Sequence, residues 1–388
     1  MQPAQPIRAI RLGDTGPAVA EIRATLASLG LLPAEGDRAG APTSPVFDPA
    51  CDRAVRGFQQ SRGLSVDGIV GPETYRALDE ARWRLGDRLL FLRVAHPFVG
   101  DDVAELQHRL QELGFDPGRC DGVFGVRTEQ AVRDFQRNLG LVADGTCGPH
   151  TLKALDRLRR TVVGGRAQWI REAEELVRAG PTVAGKFVII DPGHGGPDRG
   201  VAAPGVVDEA RVADDLAARL EGRLAAGGAF PFLTRGGDTS PSEPERAAFA
   251  NAAEGDLLVS LHCDAAPDPA CNGVATYYFG SYGVGGRMHA SSVGQRFAGL
   301  VQREITSRTD LLDCATHPKT WDLLRLTRMP AVRIELGYLS NPKDAARLAS
   351  PEFRDTLAEA ILVAIQRLYS PPDLNGPTDQ LRIPTLVG

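Results

Sequence analysis

Two histidines each follow a short apolar run. Residues 187–196 (FVIIDPGHGG) pass from four apolar residues into a glycine-rich turn that presents His194. Residues 256–262 (DLLVSLH) repeat the arrangement and end at His262. Both runs predict buried strands with an imidazole at the end. Taken alone, the His-Gly-Gly sequence is equally compatible with a turn whose histidine has no chemical role.

Two glutamates accompany these histidines along the chain. Glu209 is followed by apolar residues at spacings of four, so it is predicted to begin a helix whose apolar face packs on a sheet. An acid in the first turn also suits the helix dipole, which offers a purely structural explanation. Glu335 lies inside the apolar run 332–341 (VRIELGYLSN), where an ionised carboxylate is unfavourable without a partner.

Two histidines and one carboxylate form a ligand set for zinc that leaves the fourth position open, as in catalytic zinc sites. We therefore expect His194, Glu209 and His262 to bind Zn2+. Glu335 is then available as the catalytic residue that transfers a proton. Asp208 precedes Glu209 directly and is an alternative ligand.

The elements that must position these residues alternate between strands and helices. This order predicts an α/β domain with a mostly parallel sheet, in which sites form at the carboxyl ends of the strands. Strands are predicted near residues 187–191, 230–235, 256–262, 273–279 and 332–338, and helices after Glu209 and at 245–251, 295–305 and 353–368.

The N-terminal part contains a tandem repeat. Residues 19–30 (VAEIRATLASLG) resemble residues 103–114 (VAELQHRLQELG), and both predict amphipathic helices that end at glycine. The similarity continues through AVRGFQQ and AVRDFQR, and then through two Asp-Gly-x-x-Gly-Pro-x-Thr segments. The first copy carries additional residues at about 33–45. The predicted core residues of the repeats are Val55, Phe58, Val132 and Phe135.

Composition limits the possible partners and the cellular location. The 388 residues carry a formal net charge of −5, which gives no electrostatic indication of nucleic-acid binding. The N-terminus has no secretory pattern and no segment is apolar enough to span a membrane, so a cytoplasmic protein is expected. Six cysteines without a CxxC pair favour reduced thiols.

The ordered motifs of residues 186–369 resemble the zinc-dependent N-acetylmuramoyl-L-alanine amidases of the amidase-3 family. They are DPGHGG, Glu209 with its helix, RAAFAN at 246–251, SLH at 260–262 and IELGYLSNP at 334–342. The resemblance implies that His194, Glu209 and His262 hold zinc and that Glu335 is catalytic. It also implies hydrolysis of the amide between N-acetylmuramic acid and L-alanine. One departure is Cys263-Asp264, where the family commonly has another residue followed by asparagine. Because neighbouring strand residues face opposite sides, Cys263 is expected to be a buried structural thiol.

The two repeats resemble type-1 peptidoglycan-binding modules, which implies all-α, three-helix folds that bind peptidoglycan or muropeptide fragments. Alternatively, the repeats bind a protein or no ligand. The predicted domains are the modules at 8–82 and 88–160, a connector helix at 161–185, the amidase domain at 186–369 and a flexible tail at 370–388.

A second function remains open because the expected cytoplasmic location separates the chain from mature peptidoglycan. This alternative is a catalytically silent regulator or scaffold of peptidoglycan precursor synthesis. The tail ends in the apolar segment LRIPTLV and contains Thr378 and Thr385. It is predicted either to be a frayed terminus or to bind a cytoplasmic wall-synthesis protein under control of threonine phosphorylation.

Overall fold

A computed structural model describes residues 9–33, 46–158, 172, 174, 176–282 and 288–371. The chain divides into two compact units. The first contains the N-terminal repeats together with residues 281–289, and the second contains the remaining residues from 169 onward. Within the described residues, no helix is long and apolar enough to cross a membrane.

Each N-terminal repeat consists of three helices, as predicted. Proline or an acidic residue stands in the first turn of most of them, where an unpaired backbone N–H is tolerated or a negative charge is favoured. The helices are α1 (Pro17–Ser28), α2 (Pro49–Arg62) and α3 (Pro72–Ala81) in the first repeat, and α4 (Asp101–Glu112), α5 (Val126–Asn138) and α6 (Pro149–Leu158) in the second.

The repeats have separate apolar cores, one under each helix triplet. All four predicted core residues are buried, and none is more than 2% exposed. The predicted glycine stops are confirmed as well, because Gly30 and Gly114 adopt positive φ directly beyond α1 and α4. The amphipathic pattern of the helices therefore identified the buried faces correctly.

A buried glutamine fixes each Asp-Gly turn to the preceding helix. Gln136 is 2% exposed, donates to Asp144 and Thr151, and accepts a hydrogen bond from the Gly145 N–H. Gln59 makes the same set of bonds in the first repeat. Gln107 makes them a third time, with the turn at Asp121 and with Thr128. We call this arrangement the glutamine clamp.

The second unit is built on a seven-stranded sheet. Its strands are β1 (Phe187–Pro192), β4 (Phe230–Leu233), β5 (Leu257–Asp264), β6 (Val274–Tyr282), β7 (Met288–Ala290), β8 (Asp313–Lys319) and β9 (Ala331–Tyr338). Their order across the sheet is β4-β1-β5-β9-β6-β7, with β8 paired to β6. The pairs β1–β4, β1–β5, β5–β9 and β6–β8 are parallel, whereas β6–β9 is antiparallel. The predicted mostly parallel sheet is thus confirmed.

Helices and one small hairpin complete this unit. The hairpin consists of β2 (Ala202–Ala203) and β3 (Val207–Asp208), and it leads directly into the first helix. The helices are α7 (Glu209–Ala226), α8 (Glu243–Ala252), α9 (Ser292–Arg308), α10 (Asp322–Leu326), α11 (Pro342–Ala349) and α12 (Pro351–Tyr369). The predicted helix start at Glu209 is therefore correct.

Several short elements were not predicted from the sequence, namely the hairpin, β7, β8, α10 and α11. Most residues of the predicted connector and all of the tail beyond residue 371 lie outside the described residues. Thr378 and Thr385 belong to that undescribed part of the tail, so its predictions remain predictions.

Candidate active site

The loop that carries His194 follows β1 and is held by two arginines. Arg235 donates to the carbonyl oxygens of Pro192 and Gly193, both at 2.8 Å. Arg246 donates to the carbonyl oxygens of Pro192 and His194, both at 2.7 Å. His194 itself has φ 54°, a conformation that side-chain-bearing residues rarely adopt. The two guanidinium groups therefore stabilise a backbone turn that directs the imidazole toward the site.

Beneath this loop, the fully buried carboxylate of Asp191 anchors Arg246. The Arg246 guanidinium lies 2.9 Å from Asp191, which also accepts hydrogen bonds from Ser260 and Thr234. Burial alone would raise the pKa of Asp191, but the positive charge of Arg246 and these hydrogen bonds lower it overall. Asp191 is thus an ionised link between β1 and α8.

Glu209 is the first residue of α7 and is 1% exposed. Its carboxylate accepts backbone hydrogen bonds from the N–H groups of Val201 and Cys263, both at 3.0 Å. Asp208, the alternative ligand, is engaged elsewhere: it caps α7 and lies 2.7 Å from Arg199. The helix start therefore directs Glu209, and not Asp208, into the site.

The structure brings His194, Glu209 and His262 together. His194 Nε2 lies 3.1 Å from Glu209 Oε2, and His262 Nδ1 lies 2.8 Å from Glu209 Oε1. One potential ligand atom from each residue lies within 4.8 Å of the others. The three donors are nitrogen and oxygen atoms of the types that zinc accepts, and they approach from separate elements.

Two glycines make room for this cluster. A Cβ at Gly193 would lie 2.4 Å from the His262 ring, and a Cβ at Gly200 would lie 2.4 Å from Glu209 Oε2. Neither distance is tolerable between non-bonded atoms, so any side chain at these positions would displace a member of the cluster. The backbone thus lies close against these three side chains.

Electrostatics within the cluster favour a charged carboxylate. Burial opposes ionisation of Glu209, but its hydrogen bonds with both histidines lower its pKa strongly overall. The pKa of His194 is raised, first by its hydrogen bond with Glu209 and further by Asp198, whereas burial has the opposite effect. The site therefore attracts positive charge, whether protons or a cation.

Glu335 lies beside this cluster in the sheet. It pairs directly with His262 across β5 and β9 and is 5% exposed. Its Oε1 accepts a hydrogen bond of 2.8 Å from Arg333, whereas its Oε2 is buried and has no hydrogen-bond partner among the described residues. One carboxylate oxygen is thus held in place and the other can accept a proton.

Several residues that support the site were not predicted from the sequence. Asp198 lies 2.8 Å from His194 Nδ1, so it orients the ring, and only its short distance from His194 in sequence could have suggested this. Asp191 and Arg246 were part of the recognised motifs, but their ion pair joins residues far apart in the chain. Cys263 is buried, as expected. Burial of the neighbouring Asp264, together with the negative charge of Glu335, raises the pKa of the Asp264 carboxyl group.

Fold and site together define an α/β protein with a metal-type ligand cluster at the carboxyl edge of its sheet. Residues 188–367 match the family described as N-acetylmuramoyl-L-alanine amidase, and residues 15–78 and 99–155 match the family described as putative peptidoglycan binding domain. The chain is 50% identical over 369 residues to the N-acetylmuramoyl-L-alanine amidase CwlM of Mycobacterium tuberculosis, covering 93% of this chain and 89% of that protein. The chain belongs to the N-acetylmuramoyl-L-alanine amidase family.

Other similarities cover a smaller share of the chain. The chain is 32% identical over 179 residues to the N-acetylmuramoyl-L-alanine amidase LytC of Bacillus subtilis, covering 46% of this chain and 34% of that protein. Among solved structures, the N-acetylmuramoyl-L-alanine amidase AmiC2 of Nostoc punctiforme is 30% identical with a TM-score of 0.42, covering 47% of this chain and 96% of that chain.

Proposed function

We propose that this chain is an N-acetylmuramoyl-L-alanine amidase that hydrolyses the amide between N-acetylmuramic acid and L-alanine in peptidoglycan. The observation that carries the assignment is the convergence of three potential ligand atoms within 4.8 Å, beside a buried glutamate with one oxygen that no described residue bonds. Membership of the amidase family, through a relative that matches almost the whole chain, supports the same reaction.

We assign His194, Glu209 and His262 as the residues that hold a zinc ion. Their nitrogen and oxygen donors suit zinc, and the glycines at 193 and 200 leave them the space to converge. A bound zinc ion supplies Lewis-acid chemistry: it polarises the amide carbonyl and lowers the pKa of the attacking water. Asp198 holds the ring of His194 in one orientation, as carboxylates beside metal-binding histidines commonly do.

Glu335 acts as the general base and then as the general acid. Its Oε2, which has no partner in the described part of the chain, accepts a proton from the attacking water as the oxygen of that water bonds to the carbonyl carbon. The same carboxyl group then delivers the proton to the nitrogen of L-alanine as the carbon–nitrogen bond breaks. Arg333 keeps Oε1 fixed during both steps, so the transfer always involves the same oxygen.

Amidase activity on purified muropeptides, measured with zinc content, tests this assignment. We expect wild-type protein to release peptides with a free L-alanine N-terminus, and Glu335→Gln to keep zinc but lose activity. His194→Ala combined with His262→Ala is expected to lose the zinc. Wild-type zinc content in that double variant would refute the ligand assignment. A zinc-loaded wild type that leaves muropeptides intact would instead favour the regulator of precursor synthesis.

We further propose that the N-terminal repeats hold the enzyme on its polymer by binding glycan. The tail at 370–388 is proposed to contact a protein of wall-precursor synthesis, a prediction that rests on sequence alone. Pull-down from lysate with and without residues 371–388, with mass spectrometry of Thr378 and Thr385, tests it. Unchanged partners and no phosphothreonine would reject it.

A further inference from the structure

The two cysteines that solvent can reach lie close together in the second unit. Four of the six cysteines are buried, whereas Cys271 and Cys314 are half-buried. These two are far apart in the chain, yet the Cys314 thiol donates a hydrogen bond of 3.4 Å to the carbonyl oxygen of Asn272, the residue directly after Cys271. The fold therefore brings together the two thiols that remain accessible.

A bulge in β8 directs Cys314 toward the loop that contains Cys271. The pairing of β6 with β8 shifts register between Val274 and Thr276, which leaves one additional residue in β8 beside Cys314. Such a bulge changes the direction of the side chains next to it. Gly273 leaves room for the thiol, because a Cβ at this position would lie 2.8 Å from Cys314 Sγ. The sulfur atom is thus seated against the end of the loop.

The loop itself allows the two sulfur atoms to meet. Cys271 lies in the irregular segment between β5 and β6, so no helix or strand fixes its backbone. The end of the loop is held beside β8, since the Gly273 N–H donates to the buried carboxylate of Asp344 at 2.8 Å. A disulfide requires α-carbons about 4.4–6.8 Å apart. Because Cys271 is one residue from the backbone oxygen that Cys314 contacts, a local rotation of the loop suffices.

Electrostatics assign different roles to the two thiols. Burial, and then the negative charges of Asp313 and Asp344, raise the pKa of the Cys314 thiol. Burial also raises the pKa of each of the four buried thiols, at Cys51, Cys120, Cys147 and Cys263. The thiolate is the form that attacks an oxidant, so these five cysteines react slowly. Oxidation is expected to begin at Cys271, with Cys314 as the second thiol.

We infer that Cys271 and Cys314 form a reversible oxidation site, which hydrogen peroxide converts into a disulfide between the β5–β6 loop and β8. This site is separate from the proposed metal ligands and adds a chemical modification to the second unit. The alternative is that the two thiols only pack against each other and react no faster than the buried ones.

The oxidation proceeds in two steps. The sulfur of Cys271 attacks one oxygen of the peroxide, the oxygen–oxygen bond breaks, and the second oxygen leaves as water with the proton of the thiol. The sulfur of Cys314 then attacks the resulting sulfenic acid, and the sulfenic oxygen leaves as a second water with the Cys314 proton. Two thiols are oxidised to one disulfide, and one peroxide is reduced to two waters.

Mass spectrometry of the full chain tests this site. Reduced protein is freed of reductant, treated with hydrogen peroxide at neutral pH under conditions in which circular dichroism shows an intact fold, blocked with N-ethylmaleimide and digested without reduction. We expect the peptides of Cys271 and Cys314 to be linked, and dithiothreitol to separate them. The linked protein should melt about 4–8 °C higher, because the cross-link restricts the unfolded chain.

Three variants identify the order of the steps. Cys314→Ser should stop at the sulfenic acid of Cys271, which dimedone traps. Cys271→Ser should slow oxidation at Cys314 by at least about tenfold, because the thiol that reacts first is absent. Cys147→Ala, at a buried cysteine of the second repeat, is the control and should form the same link as wild type.

Several results would overturn the inference. They are the absence of the link in folded wild type, a link from either cysteine to a buried one or to a second molecule, and a linked protein that melts lower than the reduced one. The last result would mean that the bond strains the fold and that the two thiols are not arranged to join. None of these measurements requires zinc or amidase activity, so the outcome is independent of the proposed function.

Discussion

The orientation of His194 depends on the carboxylate of Asp198. The side chain of Asp198 is 53% exposed, yet it bonds to His194 Nδ1 and to the Gly200 N–H. We expect Asp198→Asn to weaken zinc affinity by about 10–100-fold while the fold persists, because the partner of a metal-binding histidine sets its ring orientation and basicity. Competition with a zinc-binding dye measures this.

A matched control for that substitution is Asp355→Asn. Asp355 is similarly exposed, at 51%, and pairs with Arg219 and Arg223 on another part of the unit. Equal zinc affinity in the two variants would show that Asp198 does not orient the ligand.

Protons and the proposed metal ion would compete for His194, and this gives the site a pH dependence whose sign can be worked out. In metal-free protein the raised pKa of His194 means that its protonated form stabilises the fold. That contribution is fully present below the ordinary pKa of 6.5 and is lost as pH rises through the raised value. The melting temperature of metal-free wild type, relative to His194→Gln, should therefore fall as the pH rises above 6.5 and through the raised pKa of His194.

With metal present the pH dependence of stability has the opposite sign, because zinc binds only the neutral imidazole. Zinc affinity is expected to decline as the pH falls below the raised pKa of His194. A pH-independent difference between wild type and His194→Gln in metal-free protein would contradict the raised pKa.

At the scale of elements, the loop before α7 contains two glycines, of which one lies against the cluster of His194 and Glu209. Gly200 and Gly205 both have positive φ, at 64° and 74°, so alanine strains the backbone similarly at either position. At Gly200 the added Cβ meets Glu209 and His194, whereas at Gly205 it meets no described residue within 4 Å. Gly200→Ala should lose zinc, and Gly205→Ala should keep it with a comparable decrease in melting temperature.

Zinc content and thermal melting of the two variants are the measurements. If both variants bind zinc equally, the loop yields to the added methyl group, and the close fit around the ligands does not control the site.

The glutamine clamp explains how short helices can hold polar turns between them. In Gln136→Ala, the Gly145 N–H and the side chains of Asp144 and Thr151 lose a buried partner. We expect a loss of about 1–3 kcal/mol in the free energy of unfolding of the second repeat. Gln130→Ala, at an exposed glutamine bonded only to Asp134 in the described structure, should change it by less than about 0.5 kcal/mol.

Chemical denaturation of the isolated repeats, followed by circular dichroism, distinguishes these values. Similar losses in both variants would mean that the clamp adds nothing beyond ordinary helix-surface contacts.

The elements that the sequence predicted correctly are those marked by a pattern among residues close together in the chain. The strand ends that carry His194 and His262 and the helix start at Glu209 follow from apolar periodicity and turn residues. The ion pair of Asp191 with Arg246 has no such signal, because it joins residues that only the folded sheet brings together. The glutamine clamp was not predicted, and the third Asp-Gly turn, at Asp121, was not recognised because it lacks the proline of the other two.

For the whole molecule, metal removal should affect the two units unequally. The proposed ligands all belong to the second unit, and a ligand in large excess over its dissociation constant adds about 4 kcal/mol to stability. Chelation should therefore lower the melting temperature of that unit by about 10 °C. Differential scanning calorimetry of the full chain, before and after chelation, measures the shift against the transition of the repeats. An unchanged thermogram would exclude a tightly bound metal.

The edge strand β4 has a further consequence for how molecules meet one another. Phe230 and Thr234 direct their N–H groups toward β1, so by alternation Pro231 lies in the outward row, where it has no N–H to offer. Its neighbours Phe230 and Phe232 stack on Phe187 and are 54% and 39% exposed, an apolar surface at the rim of the sheet. An exposed apolar edge usually invites another strand, but proline removes part of the backbone template. An incoming strand from another copy of the protein would find one backbone donor missing at this edge, which disfavours edge-to-edge pairing there.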